Sequence, residues 1–233
     1  KAQNLDELLS HPPVIELKVS NPQPRLGEEF NISYSAAYIQ AQVFKPAFGR
    51  QLQENDMGDG NETDYTLKLP LKARRLGRQT VGPLSFTVNG VEFKTSAASY
   101  EVVAPLPNVT DGIWIRNVKI SDTLYCIILE QRIPAEKKME QVSPTETRYW
   151  NEAINPNETK VNIPQRMNGI REQTSFSTSS DQLVTTAGGS VPVRFIQSIN
   201  YYEITDRTKK IEITKDWFLN LPASYKFENI KVQ

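Results

Sequence analysis

Histidine and cysteine are almost missing from this sequence: one of each, His11 and Cys126, in 233 residues. A lone cysteine forms no intrachain disulfide and no CxxC metal site. Zinc sites assembled from His and Cys are excluded by the same count. His11 sits in a tail segment just before Pro12-Pro13. No rigid element holds it there in the orientation that a Ser-His-Asp or Cys-His arrangement demands. Cys126, inside the apolar run Leu124-Tyr125-Cys126-Ile127-Ile128-Leu129, reads as a buried small hydrophobe.

An excess of charge is also missing. Lys+Arg and Asp+Glu number 27 each, for a formal net charge of zero. Sequence-independent nucleic-acid binding needs a positive field that displaces counterions, so no nucleic-acid partner is expected. No apolar run approaches the ~18–20 residues of a membrane-spanning helix. Phosphate-cradling patterns, the P-loop and GxGxxG, are absent as well, and no cofactor is expected. The first residue is Lys1 rather than Met. That fits a mature chain whose signal peptide has been removed, and a trimmed chain would look the same.

What the sequence does have is alternation with a period near two. Ile15, Leu17 and Val19 alternate with Glu16 and Lys18; Phe30, Ile32 and Tyr34 alternate with Asn31 and Ser33. Leu67 and Leu69 flank Lys68, and Leu84, Phe86 and Val88 flank Ser85 and Thr87. Antiparallel strands with one buried and one wet face carry this pattern. Turn formers separate the runs, among them Asn21-Pro22-Gln23-Pro24 and the stretch 55–61. Asn89-Gly90 between two alternating runs predicts a two-residue type I′ hairpin. About eight short runs between Val14 and Val103 predict a β-sandwich.

The pattern stops at Pro105-Leu106-Pro107-Asn108 and restarts after Gly112. Two prolines after a strand read as a short semi-rigid linker. The expected organisation is therefore an N-terminal tail at 1–13, an Ig-like β-sandwich at 14–104, a linker at 105–111 and a second Ig-like sandwich at 112–233. Strand-like runs in the second half are 113–120, 124–130, 191–197, 199–204, 210–214 and 225–232. Between them lies a polar insertion, 134–188, rich in Glu, Asn, Ser, Thr and Gln. Short helices are expected at 135–142 and 146–153, and an exposed loop or hairpin tip at 174–189.

Few residues stand out as a site. Asp56, Asp59, Asn61 and Asp64 gather oxygen donors in a Gly-containing loop, but not at EF-hand spacing. A solvated turn accounts for them, with calcium the alternative. Arg74, Arg75 and Arg78 cluster around Gly77 and read as a solvated turn. A glycan-active enzyme would need two carboxylates facing one cleft, and no pair is singled out. Among the aromatics, Trp217-Phe218 reads as core and Trp114 as the start of a strand. Tyr149 and Trp150 are the candidate ligand-facing aromatics, which would serve a sugar-binding face.

The run YTLKLPLKARRLGRQTVGPLSFTVNGVEFKTSAASYEVV, residues 65–103, resembles the repeated unit of the BatD family of bacterial aerotolerance proteins. Its elements are Tyr65, Gly77, Gly82-Pro83, Asn89-Gly90, Thr95-Ser96 and the closing strand Tyr100 to Val103. Upstream, PRLGEEFNISY, residues 24–34, is similar to the family's opening pattern through Gly27, Glu28 and Phe30. The likeness covers 14–104. Residues 112–135 resemble the start of a second module that lacks the Gly-Glu pair. The resemblance implies a non-catalytic chain of Ig-like domains, periplasmic or on the cell surface of Bacteroides-type bacteria. It implies protein partners in the envelope, with companions carrying von Willebrand-type domains, and no catalytic residues. The alternative partner is a glycan, bound by a carbohydrate-binding module or adhesin.

Overall fold

The computed structural model describes residues 10–35, 61–63, 66–88, 91–155, 157–164 and 169–232. The fold is all-β, and among the described residues the strands pair antiparallel, with two isolated parallel bridges, Ile15 to Thr95 and Arg25 to Val103. The chain divides into two compact units, Lys1–Pro105 and Leu106–Gln233.

The first unit holds β1 (Leu17–Val19), β2 (Glu29–Ser35), β3 (Asn61–Thr63) and β4 (Thr66–Lys72), joined in the order β1-β2-β4-β3. Further on, β5 (Gly77–Val81) pairs with β8 (Ala98–Val102), and β6 (Ser85–Val88) with β7 (Val91–Lys94). Along β2, Phe30, Ile32 and Tyr34 are buried while Glu29, Asn31 and Ser35 face solvent. The alternation in the sequence is thus the pleat itself. Rings close the space between the layers: Phe30 meets Tyr100 edge-on at 4.9 Å, and Tyr34 stacks on Phe86 at 4.6 Å. Such pairs add to the apolar area they remove from water. Ile15, Leu17, Phe93 and Val102 complete this sandwich core.

Two polar devices tie the strand ends. Gly27 takes φ +88°, which a side chain resists, and the turn it makes brings Glu28 back over its own start. Glu28 Oε2 accepts from the Arg25 amide at 2.8 Å, and Oε1 from buried Asn21 Nδ2 at 2.7 Å. Thr95 Oγ1 accepts from the Leu84 amide at 2.9 Å, and Ser96 Oγ accepts from the Leu17 amide at 3.1 Å. These bonds satisfy backbone donors that no ladder reaches. Val88 lies opposite Val91, as the predicted hairpin requires. The turn residues 89–90 themselves lie outside the described residues.

The second unit is built on β9 (Gly112–Lys119), β10 (Leu124–Ser143), β11 (Glu146–Ala153), β13 (Ile170–Thr186) and β14 (Gly189–Ile204). These form a five-stranded sheet in the order β11-β10-β14-β13, with β9 also on β10. The remaining short strands are β12 (Lys160–Val161), β15 (Glu212–Ile213), β16 (Phe218–Leu219) and β17 (Ile230–Lys231). β12 pairs with β16, and β15 with β17. Tyr125, Ile127, Tyr202 and Ile204 of the large sheet pack against Ile211, Ile213, Trp217 and Phe218 from the C-terminal segment. Tyr202 stacks on Tyr125 and meets Trp217 edge-on, each at 5.7 Å. Its hydroxyl donates to Asn117 Oδ1 at 2.8 Å, so the buried polar tip is satisfied.

Two expectations need correction here. Residues 135–142 and 146–153 are strands, not helices: they are the outer half of β10 and β11. Helix-favouring residues such as Ala135, Glu136, Lys137 and Lys138 carry only a weak local preference. It is overridden because the chain leaves the sheet already extended and meets its partner across a tight turn. Of the exposed loop or hairpin tip expected at 174–189, residues 174–186 are ladder, and the tip is the short turn before Gly189. Residues 107–109 lie within the expected linker. Arg132 Nη1 donates to the carbonyls of Pro107 at 2.7 Å and Val109 at 3.0 Å, which anchors that segment.

Candidate binding surface

Pro134 decides where the surface begins. Up to this residue β10 is an interior strand, flanked by β9 along 125–132 and by β14 along 124–134. Proline brings no amide hydrogen, so it suits the place where a ladder ends. The β14 pairing stops at Pro134–Val193, and from Ala135 onward β10 pairs with β11 instead. The nine residues 135–143 carry this two-stranded ribbon about 30 Å along the strand direction, at ~3.3 Å per residue. Both of its faces meet solvent.

On one face Met139 and Tyr149 are directly opposed, 73% and 59% exposed. Lys137 Nζ stands 4.9 Å from the centre of the Tyr149 ring, a cation–π contact. On the other face Trp150, 40% exposed, lies opposite Lys138. Lys138 Nζ reaches Glu136 Oε2 at 2.9 Å and Glu152 Oε2 at 3.9 Å. The hydrogen bond and charge of Glu136 raise the ammonium pKa above its ordinary value. Val142 and Ile154 extend the apolar exposure toward the two ends of the ribbon.

Tyr149 and Trp150, the residues expected to face a ligand, are therefore both on the surface. Being neighbours on one strand, they point to opposite faces and build no common stacking platform. Sequence reasoning missed Met139 and Lys137, because a run reading Glu-Lys-Lys-Met-Glu-Gln shows no apolar period. Only the pairing with β11 puts Met139 against Tyr149.

Other singled-out residues fall elsewhere. Ser10 and exposed His11 touch each other, Oγ to Nδ1 at 3.2 Å. Cys126 is wholly buried, and burial pushes its thiol up to about 12. Trp114 is half-buried with the Arg132 guanidinium 6.0 Å from its ring. Arg74, Arg75 and Arg78 are exposed around Gly77. Glu136 and Glu152 face each other across the ribbon, but both stand in solvent. Of the proposed calcium loop, Asp56, Asp59 and Asp64 lie outside the described residues, and Asn61 belongs to β3. Among the described residues, no group of three or more His, Cys, Asp or Glu is placed to hold a metal ion. No helix among them is long and apolar enough to cross a membrane. Neither a protein-family model nor a curated protein matches the chain.

Proposed function

We propose that the chain is a non-catalytic protein-interaction module of a bacterial envelope, periplasmic or at the cell surface, built of two Ig-like sandwiches and akin to the BatD aerotolerance proteins. One observation carries the interaction reading: the ribbon 135–153 leaves the sheet with both faces in solvent while presenting Met139, Tyr149 and Trp150. A two-stranded ribbon buries little by itself, so an element of this kind gains from a partner; within the chain its Asn151 Nδ2 donates to Asp181 Oδ2 of β13 at 3.3 Å. Apolar side chains flanked by charge on a strand pair suit a partner that adds edge hydrogen bonds and accepts alternate side chains in pockets. The envelope location rests on the family resemblance of residues 14–104 alone.

Affinity capture from a bacterial envelope extract tests this, with the intact chain beside one whose residues 137–151 are replaced by a two-residue turn. A protein held by the intact chain and lost from the shortened, folded one is the expected result. Capture of the same proteins by both would remove the ribbon from the interaction. Capture of none by either would sink the interaction reading.

A carbohydrate-binding module or adhesin is the second reading, favoured by the exposure of Tyr149 and Trp150. It requires that a single ring suffice on each face. Glycan binding abolished by Tyr149→Ala or Trp150→Ala would support it.

A further inference from the structure

β13 ends the large sheet: among the described residues its ladder neighbour is β14 alone. Its middle, Gln173 to Asp181, is exposed at every position. Natural edge strands are commonly blunted by lysine, proline, an inward charge or a β-bulge. From Ser175 to Ser180 this one has no lysine, proline or charged residue. A register shift between Glu172 and Ser175 ends just before that stretch. Amid the hydroxyl side chains stands one large apolar residue, Phe176, 51% exposed and edge-on to Tyr201 at 6.4 Å.

Thr174-Ser175-Phe176-Ser177-Thr178 reads the same in both directions. A two-fold axis makes residue i oppose j and j oppose i whatever the sequence, and here the palindrome makes the opposed residues alike. We infer that β13 is a homodimerisation edge: a second copy of this chain pairs with it antiparallel, with the dyad at Phe176, making one sheet continuous through both copies. Phe176 then packs on Phe176 of the second copy, and Ser175 opposes Ser177. Such aromatic and hydroxyl pairs are among the favourable cross-strand combinations. Antiparallel pairing sets the Arg171 end of one copy against the Asp181 end of the other, each charge being paired within its own copy, Arg171 with Glu203 and Asp181 with Arg194. The dyad also satisfies the parity of the pleat, because residues equally spaced from Phe176 within the palindrome's regular part share a face. This inference does not rest on the envelope assignment, and Asp181 at one end of the edge accepts from Asn151 Nδ2 of the ribbon at 3.3 Å.

Disulfide trapping in the intact chain tests it. Residues directly opposed across an antiparallel pair lie about 4.5–5.5 Å apart at Cα, inside the range a disulfide spans. Phe176→Cys should therefore cross-link to a covalent dimer under mild oxidation. Ser180→Cys, displaced by eight residues from its own copy or roughly 26 Å at ~3.3 Å per residue, should stay monomeric. Cys126 does not compete, being wholly buried. Sedimentation velocity of the unmodified chain should show a concentration-dependent dimer. Phe176→Lys, which opposes two ammonium groups at the dyad, should weaken it about 10-fold or more. A folded chain that is monomeric at all concentrations, equal cross-linking at positions 176 and 180, or open-ended oligomers would each overturn the inference.

Discussion

Glu130 is completely buried on β10, and its Oε2 lies 3.1 Å from Nη2 of Arg116 on the adjacent β9. Arg116 itself is only 18% exposed. An ion pair taken out of water gains little over an apolar pair of the same shape, but removing one partner strands the other charge.

Glu130→Ala should accordingly destabilise the second unit by about 3 kcal/mol, measured by chemical denaturation. The double variant Arg116→Met, Glu130→Leu should lose clearly less than the single one. Equal losses would mean that packing, not charge, holds this site.

Arg132→Met should free the carbonyls of Pro107 and Val109 with a global cost of about 1–2 kcal/mol. Hydrogen exchange reads the local effect. Amides near residues 107–111 should lose protection while those of 125–130 keep theirs.

Alkaline pH should weaken the fold. Burial pushes the Cys126 thiol and the Tyr34 phenol each up to about 12, so the folded state favours their neutral forms. Unfolded, they release protons first, from about pH 8.5 for cysteine and about pH 10 for tyrosine. Stability is thus full below those values and falls as pH rises toward 12, by up to about 1.4 kcal/mol per pH unit for each group. In denaturation series between pH 7 and 10, Cys126→Ala should flatten the early part of the slope. An unchanged slope would assign the loss to other groups.

Tyr149→Ala and Met139→Ala should leave stability within about 0.5 kcal/mol, as befits wet positions outside the core. Binding to the captured partner should nevertheless fall. A melt shifted as far as for a core truncation would show that the ribbon supports the fold instead.

The sandwich of the first unit was legible because each strand has one wet face, so Phe30, Ile32 and Tyr34 stand out against Asn31 and Ser33. Trp217 was legible for a different reason, sitting in an apolar cluster with Phe218, Leu219 and Leu221. The ribbon was not. With both faces in solvent, residues 136–141 have no inside to mark, and local preference favours the wrong structure. Tyr149 and Trp150 drew notice as exposed aromatics, but their opposite orientations follow from pairing, which composition does not encode. Glu130 was hidden too: a lone acid between Leu129 and Gln131 looks solvated until Arg116 is brought beside it.

β10 is one unbroken strand whose inner half lies inside the sheet and whose outer half is ribbon. Its inner ladder bonds run perpendicular to the strand. A pull on the ribbon along its length therefore loads the bonds of 125–134 in parallel, as shear, so they resist together. A sideways pull on the tip would peel β11 from β10 one pair at a time. The same element is thus strong along its axis and weak across it, a tether with a direction.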